Sequence, residues 1–212
     1  MKILYIDTSS SYLYSAILED TQVLAEVKKE FGTSLSEESL PEIANLFDKT
    51  DLKPKDIEKI IVVNGPGSFT GIRIGITIAK TYAWALKLDI IPISALEAMS
   101  ISCEEDTYHV PVIDARRGYV FAGIYDKDSN IIFEPKHIRI EELDKELEKL
   151  DNYTIISNNE LEHYNNIVKY DPNISKIVEK VKERDSINPH AVNPEYLKLT
   201  EAEESRLNDN RV

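Results

Sequence analysis

The chain has 212 residues, of which 42% are hydrophobic and 30% are charged, and its formal net charge is −13 at pH 7. This is the composition of an ordinary globular protein, and the acidic balance argues against a nucleic-acid-binding surface, because such surfaces depend on clustered lysine and arginine. The single cysteine, Cys103, excludes an internal disulfide and is typical of a protein in a reducing compartment.

The first half of the chain predicts a mixed α/β unit. Residues 1–20 begin directly with a strand pattern, and no apolar run reaches the length of a membrane span, so we expect a cytoplasmic protein without a signal peptide. Apolar residues at alternating or helical spacing define the other elements. In chain order these are strands at 2–7, 12–18 and 23–27, a helix at 34–50, a strand at 56–64, a helix at 71–87, a strand at 89–93 and a helix at 96–102.

The second half repeats part of this order. It predicts strands at 109–114, 119–125 and 130–140, a helix at 141–150, a strand at 153–157 and a helix at 160–169. Because three strands followed by a helix occur twice, we predict two related lobes, residues 1–103 and 104–212. The tail after Arg184 is polar, with residues 194–198 as its one semi-apolar anchor, and residues 201–212 are expected to fray.

A glycine-rich turn joins the strand at 56–64 to the following helix. Glycine can adopt positive φ there, and backbone N–H groups at a helix start can hold a phosphate or a carboxylate. Asp7, at the end of the first strand, could hold Mg²⁺ or cap its own turn. We favour the structural explanation for both features, namely close packing of the helix and a turn cap. The candidate anion or nucleotide residues are Asp7, Gly65, Gly67, Ser68, Thr70 and Gly71.

The helix after this turn is apolar over most of its circumference. Such a helix must be buried on more than one side. Its 16 residues, 71–86, span only about 24 Å, which is too short for a membrane span, so the second buried side needs protein. That protein is either another subunit or a second layer of the same chain.

Several motifs, in order along the chain, resemble the bacterial TsaB (YeaZ) family of tRNA threonylcarbamoyladenosine biosynthesis proteins. They are ILYIDTSSSYLYSAIL at 3–18, GPGSFTGIRIGITIAKTYAWAL at 65–86, SALEAM at 94–99, IDARRGYVFAGIY at 113–125 and PEYLK at 194–198. The glycine motif at 65–86 is highly specific. The D-T-S turn at residues 7–9 is less so, because actin, sugar kinases and heat-shock chaperones have similar turns. The resemblance implies an actin-like, ribonuclease H-like α/β fold of two lobes, each a mixed sheet with flanking helices.

The resemblance also implies a role without catalysis. Family members act as a scaffold and activator for a TsaD-like paralogue, which threonylcarbamoylates adenosine 37 of tRNAs that read ANN codons, together with a TsaE-like ATPase. They form homodimers, or a heterodimer with the paralogue, through the first two helices. They contact tRNA only through the complex. They need no cofactor, with ATP or ADP bound at a subunit interface as the one alternative. The implied contacts lie on segments 36–48 and 71–86: Leu40, Ile43, Phe47, Ile72, Arg73, Ile76, Ala79, Lys80 and Ala83.

Under this hypothesis Ala79→Glu or Ala83→Arg breaks association and leaves the fold intact. No metal site is predicted, because the catalytic paralogue uses an H-x-x-x-H pair and no two histidines here are four residues apart. The alternatives are an actin-like phosphotransferase that uses Asp7 and the glycine turn, a glycoprotease-like metallopeptidase, and a stand-alone homodimeric binding module. The missing histidine pair argues against the peptidase. The single candidate phosphate turn argues against the kinase.

Overall fold

The computed structural model describes residues 1–198, so the predicted fraying of residues 201–212 lies outside the described part of the chain. Two five-stranded mixed sheets form the frame. The strands are β1 (Lys2–Asp7), β2 (Tyr12–Glu19), β3 (Gln22–Glu30), β4 (Lys59–Gly65), β5 (Ile90–Ser94), β6 (Tyr108–Asp114), β7 (Tyr119–Tyr125), β8 (Ile131–Arg139), β9 (Tyr153–Ser157) and β10 (Val168–Lys169). The α-helices are α1 (Leu35–Thr50), α2 (Phe69–Leu86), α3 (Ala95–Ser102), α4 (Ile140–Leu147) and α5 (Ile174–Val181).

The first sheet has the strand order β3-β2-β1-β4-β5. β1, β2 and β3 form an antiparallel meander, and β4 and β5 run parallel to β1. Parallel strands need a crossover, and helices supply it here. α1 and α2 pack on one face of the sheet in a shared apolar core, and α3 packs on the other face together with α5. The first sheet is therefore covered on both sides.

The second sheet repeats the same plan, with the order β8-β7-β6-β9-β10. β6, β7 and β8 are antiparallel, and β9 and β10 run parallel to β6. α4 covers one face through Leu143 and Leu147, which are buried in a separate core. The prediction of an α/β fold with two related lobes, each a mixed sheet with flanking helices, is confirmed. Within residues 1–198 no helix is both long and apolar enough to cross a bilayer.

The predicted helix at 160–169 is wrong. Residues 160–167 form turns, with Asn166 at a φ of 60°, and Val168–Lys169 is a short strand. The helix in this region is α5, which the sequence analysis missed. The Asn173 side chain accepts a hydrogen bond from the Lys176 N–H at 3.0 Å, which caps the helix start. Four buried residues at helical spacing then face the core: Ile174, Ile177, Val178 and Val181.

The apolar circumference of α2 is explained mainly by the chain's own core. Six of the nine predicted partner contacts have side chains that are at most 5% exposed and belong to the core between the first sheet and its two helices. These six are Ile43, Phe47, Ile72, Ile76, Ala79 and Ala83. They have no surface to offer a partner, so their assignment as direct contacts is corrected. The protein that buries the second side of α2 is thus the chain itself, namely the first sheet together with α1. The stacked rings of Phe47 on α1 and Tyr82 on α2 are one such contact.

Ala79→Glu is therefore expected to unfold the chain instead of separating subunits. Ala79 is fully buried, and an unpaired buried charge costs roughly 3–5 kcal/mol, a large part of a typical domain's stability. Urea unfolding followed by circular dichroism measures the loss. Leu40→Glu, at a side chain that is 51% exposed, is the control and is expected to change stability by less than about 0.5 kcal/mol. Wild-type stability for Ala79→Glu would contradict the buried placement.

Candidate functional site

The D-T-S turn closes the carboxyl end of β1. The Ser9 N–H donates to Asp7 Oδ1 at 2.8 Å, and Asp7 is only 2% exposed. The carboxylate thus caps its own turn. Burial raises the pKa of the Asp7 carboxyl, while hydrogen bonding from Ser9 acts in the opposite direction. An ionised Asp7 is therefore a cost to the folded state.

The glycine turn is interlocked with the D-T-S turn by hydrogen bonds in both directions. The Ser68 N–H donates to Ser9 O at 2.7 Å, and Thr8 Oγ1 donates to Gly71 O at 2.7 Å. Ser68 Oγ accepts from the Gly71 N–H at 3.2 Å and so caps α2. Two of the N–H groups that an anion would use are thus already bonded within the chain. Anion binding by this loop stays a prediction.

Close approach explains the glycines of this region. A Cβ atom at Gly67 would overlap Ser9 O, and one at Gly71 would overlap Thr8 O. One turn further along α2, a Cβ atom at Gly75 would overlap Thr8 Oγ1. The first turns of α2 therefore lie directly on the backbone of the D-T-S turn, which fixes the helix against the end of β1.

A cavity of about 990 Å³ lies between the two lobes at this point. The D-T-S turn and the glycine turn line one side, and Asp114, Arg116 and Asn158 line the other. Asn158 Nδ2 donates to the Tyr14 hydroxyl at 3.5 Å and links the lobes. Four carboxylates and one guanidinium stand among the lining side chains: Asp7, Glu30, Asp114, Glu160 and Arg116. This charge balance opposes a free polyphosphate.

The rings of three of the four histidines have structural contacts. His109 Nε2 lies 2.9 Å from Glu105 O, His163 Nε2 lies 2.7 Å from Asp144 Oδ2, and the His137 ring stacks on Tyr119 at 4.6 Å. No group of three or more histidine, cysteine, aspartate or glutamate side chains in residues 1–198 is placed to hold a metal ion.

The exposed side of α1 and α2 carries a shallow apolar groove of about 480 Å³. We call it the α1/α2 groove, and its lining residues are Ser36, Leu40, Phe69, Thr70, Arg73, Ile74, Thr77 and Ile78. Leu40 is 51% exposed and Phe69 is 56% exposed, so two large apolar side chains share one open groove, and contiguous exposed apolar surface is typical of interaction sites. The groove is the part of the two-helix surface that remains open after the core has formed.

Only part of this surface was predicted. Of the nine expected contacts, Leu40 and Arg73 line the α1/α2 groove, and Lys80 is half-buried beside it on α2. Phe69, Ile74 and Ile78 line it too but were not among the expected contacts. Trp84, 72% exposed, was also missed and lies seven residues after Thr77, hence on the same face about 10 Å further along α2.

Comparisons with known proteins agree on one family. A family model described as TsaD, tRNA N6-adenosine threonylcarbamoyltransferase, matches residues 27–187. The tRNA threonylcarbamoyladenosine biosynthesis protein TsaB of Bacillus subtilis is 32% identical over 96% of both chains. The Escherichia coli protein of the same name is 32% identical over 63% of this chain and 58% of its own. YeaZ from Pseudomonas aeruginosa has the same fold, with a TM-score of 0.72, 18% identity and coverage of 92% of this chain and 99% of that chain.

Gly75→Ala is expected to have opposite effects in two backgrounds. In the natural chain the new Cβ overlaps Thr8 Oγ1, and crowding of this kind costs about 1–3 kcal/mol. In a Thr8→Ala background the next nearest atom is Ile6 Cγ2 at 3.6 Å, so the helix propensity of alanine stabilises by up to about 1 kcal/mol. Urea midpoints of the four proteins measure both effects. An equal effect in the two backgrounds would show that Thr8 does not set the spacing.

Asp7→Asn is expected to stabilise the chain at neutral pH. The amide oxygen still accepts from Ser9, and the buried charge is gone. Because the pKa of Asp7 is raised by burial in the folded state, the natural chain loses stability as pH rises from the ordinary aspartate pKa through the folded value. The gain from Asp7→Asn is therefore present at pH 7 and absent below the ordinary pKa. Chemical denaturation across this pH range measures it.

Asp126→Asn is the control, and its expected effect on stability has the opposite sign to that of Asp7→Asn. Hydrogen bonds from Asn130 lower the pKa of Asp126, so this charged carboxylate stabilises the fold above its ordinary pKa. Asp126→Asn is expected to destabilise at pH 7, and the difference should fade as pH decreases. A pH-independent effect of Asp7→Asn would contradict the burial of an ionisable carboxyl.

Proposed function

Because the chain belongs to the family of tRNA threonylcarbamoyladenosine biosynthesis protein TsaB, we propose that it is a non-catalytic scaffold and activator in that modification. It binds a TsaD-like catalytic paralogue, which threonylcarbamoylates adenosine 37 of tRNAs reading ANN codons, and it works with a TsaE-like ATPase. Alone it forms a homodimer, and it meets tRNA only within the complex. It works in the cytoplasm without a cofactor of its own, and ATP or ADP would bind only at a subunit interface.

The observation that carries this proposal is the α1/α2 groove. Large apolar side chains on a helix surface gain free energy when a partner covers them, at about 25 cal/mol per Å². Leu40, Phe69 and Trp84 are all more than half exposed on the two neighbouring helices. A protein helix fits this groove, because ridges of side chains on one helix pack into the grooves of another. A specific complex of ordinary size buries about 800 Å² on each partner.

The interlobe cavity supports the non-catalytic part of the proposal. Its glycine turn is packed against the D-T-S turn, and its Asp7 carboxylate is committed to capping that turn. These features argue against an actin-like phosphotransferase. The dispersed histidines argue against a metallopeptidase.

Reconstitution of the modification reaction tests the proposal directly. The TsaD-like and TsaE-like proteins of the same organism are incubated with unmodified tRNA, ATP and a threonylcarbamoyl donor, with and without this chain. We expect modified adenosine 37 only when the chain is present, and no turnover of ATP or peptide by the chain alone. Unaided ATP or peptide hydrolysis would contradict the scaffold function. Full modification without the chain would do so as well.

Leu40→Glu and Trp84→Glu are expected to prevent complex formation without unfolding the chain. Each places a charge on the apolar surface that the partner must cover, and both side chains are more than half exposed in the monomer. We expect a loss in affinity of at least about 30-fold, which corresponds to about 2 kcal/mol. Isothermal titration with the TsaD-like protein measures it.

Ile131→Glu is the matched control for these variants. Ile131 is 50% exposed, against 51% for Leu40, but it lies on β8 at the edge of the second sheet. We expect its affinity to stay within about twofold of the natural chain, since surface changes outside an interface have small effects. Equal losses for Leu40→Glu and Ile131→Glu would contradict docking at the α1/α2 groove.

A further inference from the structure

Residues 193–197, which we call the C-terminal strap, lie across the start of α2. The Glu195 N–H donates to Asn64 O at 2.7 Å, and Asn64 Nδ2 donates to Asn193 O at 3.3 Å. Glu195 O occupies the space beside Gly65, where a Cβ atom would lie only 2.6 Å from it. Just before the strap, Val192 is 1% exposed in the core beneath α2. Backbone bonds and a buried anchor therefore hold the strap in place.

The strap places Tyr196 against Arg73 on α2. Arg73 Nε donates to the Tyr196 hydroxyl at 2.8 Å, and the guanidinium carbon lies 3.6 Å from the centre of the Phe69 ring. The rings of Phe69 and Tyr196 are stacked at 5.4 Å with an angle of 24° between their planes. Cation–π contact and the hydrogen bond restrict a side chain that would otherwise be free to rotate.

Arg73 has no acidic partner in residues 1–198. No carboxylate of this range lies within 4.0 Å of its nitrogens, and neither Nη1 nor Nη2 donates to any atom there. In contrast, Arg184 binds the Glu97 carboxylate through both of its terminal nitrogens. An exposed arginine with no carboxylate partner among residues 1–198 is notable in a chain with a net charge of −13. Its two terminal nitrogens form a fork that fits a carboxylate.

We propose that Arg73 binds a carboxylate of the docked catalytic partner and that Tyr196 is the residue that positions it. This rests on the proposed function, because Arg73 lines the α1/α2 groove beside Leu40 and Ile78. The partner thus presents an apolar helix with an aspartate or glutamate at the edge of its contact face. Since the guanidinium is already fixed, less conformational entropy is lost when the carboxylate binds. A charged contact at this edge also sets register and orientation.

Four single variants of the full chain test this inference by titration with the TsaD-like protein at two salt concentrations. Arg73→Gln is expected to weaken binding about tenfold or more and to reduce the salt dependence of affinity, because charge-assisted hydrogen bonds are lost. Arg73→Lys keeps the charge without the fork and should recover only part of the affinity. Tyr196→Phe, which keeps the ring, should weaken binding less than Arg73→Gln. Lys145→Gln, at an exposed lysine on α4 away from the groove, is the control and should stay within about twofold.

The result separates this inference from the proposed function. If Arg73→Gln binds within twofold of the natural chain while Leu40→Glu abolishes binding, the carboxylate contact is wrong and groove docking stands. If Leu40→Glu binds normally too, the proposed function fails. Thermal unfolding of each isolated variant is the second measurement. If Arg73→Gln lowers the melting temperature so far that part of the chain is unfolded during the titration, the weaker binding reflects lost stability. That result would overturn the inference, since Arg73 would then stabilise the monomer.

Discussion

The contact between the D-T-S turn and the start of α2 determines the geometry on which the other features depend. Hydrogen bonds from Ser68 to Ser9 and from Thr8 to Gly71 bring two backbone segments so close that only glycine fits at the crossing points. This contact fixes the position of α2 on the sheet. One side of the helix then fills the core with α1, and the opposite side forms the α1/α2 groove. The glycine motif therefore packs the start of the helix tightly against the turn.

Much of the fold could be predicted from local sequence patterns. Most strands of the meanders are short runs of apolar and aromatic residues bounded by polar turns, and the glycine turn marks the change from strand to helix. The failure at 160–169 has a physical cause, because Leu161 and Tyr164 pack on the core of the second sheet from a turn, and Asn166 reverses the chain at positive φ. The missed α5 did leave a signal. Asn173 precedes apolar residues with helical spacing, which is a regular helix start.

The candidate site was harder to predict for a different reason. α2 is apolar on nearly every face, so its sequence does not separate the residues that meet the sheet from those that meet solvent. Ile72 and Ile74 are only two positions apart, yet Ile72 is buried in the core and Ile74 lines the groove. The positions of the sheet and of α1 around the helix decide which of these two side chains is buried. The strap was equally hidden, since its contacts with Arg73 and Gly65 join residues more than 120 positions apart.

The placement of Trp84 has a practical consequence for following assembly. It is the only tryptophan of the 212 residues, and 72% of it is accessible to water. Indole emission depends on the polarity around the ring, so covering this one side chain changes the ultraviolet fluorescence of the whole chain. Because this chain holds no second indole, its own emission reports on the surface where a partner would arrive. Encounter can thus be timed without attaching a dye.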